Sequence, residues 1–410
     1  MPAARPRTVD GEDREFAPLR LCRGEDARLR AGHLWVFANE VDVQATPLTA
    51  FAPGDPCTII DDRGRSLGVG YVNPHSLIAA RLLARAPVRA PVPSLLVHRL
   101  KVALSLRERL FAEPYYRLLY GEADGVPGLT LDRFGDVVVA QATTAGIERL
   151  KPAVEAAVRK VVDPRAMVWK NDAGVRALEQ LPSYADMAFG ELAPPVMVRE
   201  AGLEFAIDPV GGQKTGWFYD QRPNRDRLGP FVRDARVLDL FAYAGAWGLR
   251  VAAEGAREVL CVDASASAVA AVGENARRNG LDARVSAERA DVFEFLHAAR
   301  ERRERYDVVI VDPPAFVKRR KDLKEGALAY RRVNELAMQV LARDGILVTC
   351  SCSYHLPEVV LRDGVQKAAR HLDRHVQVLA RLGQGPDHPV HPAIPETEYL
   401  KGLLCRVLPS

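Results

Sequence analysis

The residues best able to do chemistry lie at or just past the ends of five apolar runs in the second half of the chain. The run Val237, Leu238, Leu240, Phe241 encloses Asp239 and leads into Tyr243-Ala244-Gly245-Ala246, then a helical stretch from Leu249 to Ala253. Glu258 to Val262 ends in Asp263, Ala283 to Ala290 ends at Asp291, and Tyr306 to Val311 runs into Asp312-Pro313-Pro314-Ala315-Phe316. The fifth run, Gly345 to Cys350, passes through Ser351 to Cys352, Tyr354 and His355. Apolar runs alternating with helical periodicity read as a parallel sheet with crossovers. Ligands of such sheets bind beyond the carboxyl ends of the strands. Four carboxylates and a thiol are therefore candidates for one site.

A small-residue turn between a strand and a helix lets a ligand approach the backbone at a helix N-terminus. Asp263 follows that turn by about twenty residues, where a carboxylate can accept both ribose hydroxyls of an adenosine-containing cofactor. The dinucleotide fingerprint GxGxxG is absent, and Asp239 opens the loop instead. An anion there would repel a pyrophosphate, so the expected cofactor is S-adenosylmethionine, whose sulfonium is cationic. Asp239, Tyr243, Gly245 and Asp263 are its expected contacts, with Asp291 at the adenine edge. Two prolines stiffen the loop after Asp312, leaving that carboxylate little freedom. Methyltransferases acting on planar bases hold the base on a loop of this kind, which makes Pro313, Pro314, Phe316 and Lys318 expected substrate contacts.

A thiol adds a distinct reaction. Carbon 5 of a pyrimidine is a poor nucleophile until a nucleophile adds at carbon 6 and makes the ring enamine-like. Methylation of a nitrogen needs no such thiol. Cys350 and Cys352 share a side-chain direction by strand alternation, so periodicity does not choose between them. Cys352 lies nearer the carboxyl edge and is the expected nucleophile, whereas Cys350 reads as core. The sequence does not identify the base that removes the carbon 5 proton; His355 reads more simply as a solvent-facing side chain.

The elements that position these residues need more than one core. The 410 residues are 48% hydrophobic and 27% charged, which suits a folded chain of two or three domains. A net charge of +4 is only mildly basic, although Arg20, Arg23, Arg28 and Arg30 form one group and Lys318 to Lys321 another. Six scattered cysteines without a CxxC pair argue against a metal centre or disulfide framework and for a reducing compartment. Met1 to Glu15 has no apolar core, and Val237 to Ala253 is too short and too charged to span a bilayer. The expectation is a cytoplasmic protein with no membrane contact. Three regions separate: a β-rich barrel over residues 16–88, with a hairpin turn at Asp61 to Gly64; an α+β middle domain over 92–195, after the proline-rich segment Ala86 to Pro93; and a Rossmann-like α/β domain over 196–410.

Longer segments also resemble one family. Gly32 to Phe37, Tyr120 to Leu129, Lys214 to Arg222, Asp312-Pro313-Pro314, Ser351-Cys352-Ser353, Asp387-His388-Pro389 and Tyr399 to Gly402 are similar to the RlmI-type 23S ribosomal RNA methyltransferases, which form 5-methylcytosine. The resemblance implies a class I methyltransferase domain preceded by a PUA-like RNA-binding barrel and a small middle domain. It implies cofactor roles for Phe218, Asp220 and Arg222, besides the Gly245 loop, Asp263 and Asp291. It also implies base contact for Asp312 and nucleophilic attack for Cys352. The sequence departs from the family at Tyr243 to Ala246, where a Thr-Gly-Gly type of loop is commoner. The expected partner is 23S ribosomal RNA before full subunit assembly, and a homodimer is allowed. The rival readings are a purine-nitrogen methyltransferase of ribosomal RNA and an RNA-binding assembly factor with a vestigial cofactor pocket.

Overall fold

Short apolar runs separated by turn residues build the first unit. The computed structural model describes residues 16–87, 92–192 and 195–410, so Met1 to Glu15 and the middle of the Ala86 to Pro93 segment lie outside the described residues. Strands β1 (Pro18–Arg20), β2 (Trp35–Phe37), β3 (Asp55–Ile60), β4 (Ser66–Val72) and β5 (Ile78–Arg85) form one sheet, with helix α1 (Ala27–Arg30) between β1 and β2. The strand order is β1-β3-β4-β5-β2. The expected turn joins β3 to β4, and Asp61 closes it by accepting the Arg63 and Arg65 N–H groups. A bridge between Leu21 and Val41 ties the chain past β1 to the chain past β2. The edges thus meet and the sheet curls around Leu19, Val36, Ile59 and Leu82.

The second unit comprises α2 (Val92–Leu110), β6 (Tyr115–Tyr120), β7 (Leu129–Phe134), β8 (Val137–Ala142), α3 (Ala145–Val161), β9 (Ala166–Asn171) and β10 (Tyr184–Phe189). Its sheet runs β10-β9-β8-β7-β6. Helices α2 and α3 cover one face through Leu96, Leu100, Val154 and Val158. Residues Phe134, Val137, Val139 and Ala166 of the other face join the core of the third unit. Strands β6 and β10 are not legible as strands in the sequence. Arg117 interrupts β6 and is accommodated by a buried pair with Asp132, while β10 is mostly exposed along its length.

In the third unit, β11 (Val196–Glu200) and β12 (Leu203–Ile207) form a hairpin that reverses at Ala201 and Gly202, both at positive φ. Short helices α4 (Arg222–Arg225) and α5 (Gly229–Val232) follow. The main sheet is built from β13 (Arg236–Leu240), β14 (Glu258–Asp263), β15 (Val285–Arg289), β16 (Tyr306–Val311), β17 (Leu341–Ser351), β18 (Arg374–Gly383) and β19 (Lys401–Pro409). Helices α6 (Ala246–Ala253), α7 (Ala266–Arg278), α8 (Val292–Glu301), α9 (Leu323–Val340) and α10 (Glu358–His371) alternate with them. The order is β15-β14-β13-β16-β17-β19-β18. Val237, Val259, Val308 and Ile310 face α6 and α7, whereas Leu238, Leu240, Val309 and Val311 face α8, α9 and α10. Burial on both faces explains the nearly unbroken apolar runs. The covering helices change face between β13 and β16, which opens a crevice beyond their carboxyl ends. The sheet is not wholly parallel as expected: β19 inserts antiparallel between β17 and β18, because the chain returns to it through a loop and no crossover helix.

Candidate active site

The loop after β13 is under backbone strain. Phe241 and Tyr243 adopt positive φ angles of 62° and 50°, a region that costs a bulky residue free energy and persists where the surroundings over-determine it. Gly245 caps α6 at φ 83°, and a Cβ there would meet Leu249 Cδ1 at 2.7 Å. The loop thus reaches its turn with a single glycine. The Tyr243 N–H donates to Asp263 Oδ2 at 3.0 Å and the Ser265 N–H to Oδ1 at 2.9 Å, so Asp263 is fixed at the end of β14 beside the loop. Asp291 is exposed and caps α8, with Oδ1 accepting the Phe293 and Glu294 N–H groups.

Asp239, expected as a cofactor contact, lies beneath the loop. Its Oδ2 accepts the Gly248 N–H at 3.0 Å, it is fully buried, and burial pushes its carboxyl up to about 8. It ties the first turn of α6 to the sheet instead of reaching the crevice. Gly248 permits this approach, since a Cβ there would lie 2.4 Å from Cys261 Sγ.

Asp312 and Cys352 converge from neighbouring strands. Both oxygens of Asp312 accept from Gln221 Nε2 at 3.0 Å, and Trp247 Nε1 donates to Oδ2 at 3.1 Å. Burial raises this carboxyl to about 6. Cys350 is fully buried, whereas Cys352 is half-buried just past β17, which settles their relative access as alternation could not. Ser353 joins the two loops: its Oγ accepts the Val317 N–H at 3.1 Å and pairs with the Tyr330 hydroxyl at 2.9 Å. Lys401 Nζ donates to the carbonyls of Ser353 at 2.6 Å and Leu356 at 3.1 Å, clamping the turn that carries Cys352. Burial lowers this lysine to about 8. Burial also raises the Cys352 thiol, with Lys214 opposing and Asp312 and Asp220 reinforcing the rise.

The segment entering this unit supplies the other wall. Phe218 meets Tyr243 edge-on at 5.5 Å, and Lys214 Nζ sits 4.5 Å from the centre of the Phe218 ring. Asp220 is buried; its Oδ2 accepts the Tyr399 hydroxyl at 2.5 Å, and its Oδ1 has no hydrogen-bond partner among the described residues. Burial alone would raise this carboxyl, but Lys214, His388, Tyr399 and Arg117 outweigh it and hold it low. Lys214, Phe218, Asp220, Tyr120 and Tyr399 line one cleft of about 180 Å³. Arg222, expected in the cofactor site, turns the other way. Its Nε faces Glu200 at 3.4 Å, an NH2 donates to the Tyr115 carbonyl at 2.5 Å, and the guanidinium stacks 4.7 Å from Phe111. It ties the second unit to the third.

Of the expected substrate contacts, Pro313 is buried, and Pro314 and Lys318 are exposed. Phe316 packs among Phe241, Phe293 and Tyr330, where it supports the loop from behind. Among the first-unit arginines, Arg28 pairs with Glu40, and Arg30 with Asp26 and Asp61. Gln221, Trp247, Lys214 and Lys401 were not singled out as site residues in the sequence. Gln221 and Lys214 lie inside the Lys214 to Arg222 segment and Lys401 inside Tyr399 to Gly402, so the family resemblance was the one signal for those three. Among the described residues no three or more His, Cys, Asp or Glu side chains form a group that could hold a metal. No helix among them is long and apolar enough to cross a membrane.

Residues 19–85 match the model of a PUA-like domain, and residues 166–406 that of the S-adenosylmethionine-dependent methyltransferases. Ribosomal RNA large subunit methyltransferase I of Cronobacter sakazakii is 35% identical over 395 residues, covering 95% of this chain and 99% of that protein. The protein of that name from Photobacterium profundum is 36% identical over 394 residues, covering 94% and 98%. Among solved structures, the methyltransferase SMU.776 complexed with SAH superposes with a TM-score of 0.81 at 20% identity, covering 95% of this chain and all of that one. A SAM-dependent methyltransferase from Streptococcus mutans gives a TM-score of 0.79, also at 20% identity, over 95% and 100% of the two chains. These last two speak to the fold.

Proposed function

The chain belongs to the ribosomal RNA large subunit methyltransferase I family of S-adenosylmethionine-dependent methyltransferases, and on that premise we propose that it forms 5-methylcytosine in 23S ribosomal RNA through a Cys352 adduct. The observation that carries the proposal is the joining of the Asp312 loop to the Cys352 turn through Ser353 and Val317, at the cofactor end of the sheet. A base seated on one loop thereby faces the thiol on the other.

The residues present fit the cofactor. Asp263, held by two backbone N–H groups, keeps lone pairs for ribose hydroxyls. The unpartnered Asp220 Oδ1 beside Lys214 offers a carboxylate to an ammonium and a cation to a carboxylate, which matches an amino acid tail. Phe218 and Tyr243 supply apolar walls between them. Bound S-adenosylmethionine supplies an electrophilic methyl group.

Everything else falls to this chain. Asp312, fixed by Gln221 and Trp247, orients the base through its exocyclic amine or ring nitrogen. Cys352, as thiolate, bonds through sulfur to carbon 6, and the electrons of the 5,6 double bond shift to carbon 5, which takes the methyl group. Loss of the carbon 5 proton and departure of the thiolate restore the aromatic base. The target must be unpaired or flipped to reach this depth, which supports a substrate met in the cytoplasm before the large subunit is fully assembled. The PUA-like barrel holds RNA by backbone and shape.

The test incubates unmodified ribosomal RNA with the protein and methyl-labelled S-adenosylmethionine, then identifies the labelled nucleoside by mass spectrometry. Labelled 5-methylcytidine is expected. Label on a purine would replace this reading with nitrogen methylation, and binding of RNA without any label would replace it with an assembly factor.

A further inference from the structure

A second cleft lies where all three units meet. It holds about 170 Å³ and is lined by Trp35 of β2, by Tyr120 and Glu122 at the end of β6, and by Glu396 near the C-terminus. Tyr120 is the wall it shares with the cleft of Lys214, Phe218 and Asp220. That ring is pinned: its hydroxyl donates to the Thr397 carbonyl at 3.0 Å, and His388 and Tyr399 flank it at 5.2 and 6.3 Å. An occupant of this cleft is therefore one ring away from the cleft assigned to the cofactor's amino acid tail.

We propose that this junction cleft takes a second unstacked nucleobase of the RNA, one bearing an exocyclic amino group, from the strand that delivers the target cytosine. The inference rests on the RNA-methylating reading above. Among the described residues, two carboxylates and no lysine or arginine line the cleft, so a phosphate would be repelled there. Carboxylates accept N–H groups from base edges. Trp35 supplies the stacking face, and its Nε1 is fixed on Glu122 Oε1 at 2.9 Å, an anchor that leaves the second carboxylate oxygen to the ligand. Guanine, adenine and cytosine carry an amino donor on the Watson–Crick edge; uracil has only its ring N3–H there, flanked by two carbonyls that the carboxylates repel. The Glu396 carboxylate also lies close enough to the Tyr354 hydroxyl for its charge to help hold that group protonated, and Tyr354 is two residues beyond Cys352. The recognition wall thus lies near the catalytic turn, and the cleft acts as a specificity subsite for a neighbour of the target.

The test first maps the cytosine methylated by the wild-type protein. Oligoribonucleotides spanning that cytosine are then made with each nearby position replaced in turn by an abasic unit and by each of the four bases. One position is expected at which the abasic unit and uracil lower kcat/KM by about tenfold or more, in line with the loss of a good base contact; the guanine, adenine and cytosine arms tell which donor edge fits. Glu396→Gln, at an exposed position that folding tolerates, and Glu122→Gln are each expected to relax that preference at least threefold with S-adenosylmethionine binding unchanged. Tolerance of every neighbour within twofold, or an unchanged preference in both variants, would overturn the inference while leaving the methylation reading intact. Failure of the wild type to methylate any cytosine would overturn that reading and this one together.

Discussion

The two halves of the main sheet build their ends differently. At β13 and β14 the side chains that matter lie within one βαβ segment, Asp239 to Asp263, and are fixed by local N–H groups. At β16 and β17 the side chains are fixed by partners far along the chain: Asp312 by Gln221 and Trp247, and the Cys352 turn by Val317, Tyr330 and Lys401. The first half carries the proposed ribose contact by itself, while the proposed contacts for the cofactor's amino acid tail come from the entering segment. The second forms a reactive site only when the entering segment and the antiparallel strand β19 have docked. Cofactor binding and methyl transfer should therefore be separable by mutation.

The largest effect should fall on the second half. Cys352→Ala is expected to lower kcat by roughly 10³-fold or more with the cofactor dissociation constant unchanged within about twofold, read by labelled-methyl incorporation and calorimetry. Cys350→Ala should keep near wild-type turnover and lose about 1 kcal/mol of stability in urea titration. Equal loss of activity in both variants would erase the distinction between the buried and the accessible thiol.

Next in size is the first half. Asp263→Ala should weaken S-adenosylmethionine binding about tenfold or more, as expected for hydrogen bonds to a charged acceptor, with RNA binding in filter assays unaffected. A matching loss of RNA affinity would mean that the halves are not separable.

Burial raises the Cys352 thiol above its usual range and Lys214 opposes the rise. Wild-type kcat should therefore climb with pH above neutrality, and Lys214→Met should move that limb to higher pH. An unshifted limb would remove Lys214 from the thiol's surroundings.

The smallest effect concerns Asp239, pushed up to about 8 by burial from an ordinary 3.8. A carboxyl raised on folding contributes stability that is full below about 3.8 and is lost as pH rises through about 8. Asp239→Asn should flatten that slope, unfolding at higher urea than wild type at alkaline pH and near wild type in mild acid. A wild-type slope retained in the variant would assign the dependence elsewhere.

The same contrast decided what could be read in advance. The runs ending in Asp263, Asp312 and Cys352 were legible because strands buried on both faces leave unbroken apolar stretches. The acid after β14 was legible because its spacing from the loop is set within one βαβ unit. Strand β18, mostly exposed, and the antiparallel insertion of β19 left no such pattern. Side-chain direction was the other gap. Arg222 and Asp239 lie in the right segments, but one points to Glu200 and the other under the loop, and one-dimensional spacing carries no record of that. The pairing of Gln221 with Asp312 spans a separation that only the folded chain closes.

The most direct test of the central claim, attack by Cys352 on carbon 6 of a cytosine, uses ribosomal RNA fragments made with 5-fluorocytidine. Fluorine cannot leave as the proton does, so an adduct that has taken up a methyl group stays covalent. The expected result is a protein–RNA species on denaturing gels that requires S-adenosylmethionine, maps to the peptide holding Cys352, and is absent with Cys352→Ala. Methylation of ordinary RNA without any trapped species, or a trapped species that survives Cys352→Ala, would contradict it.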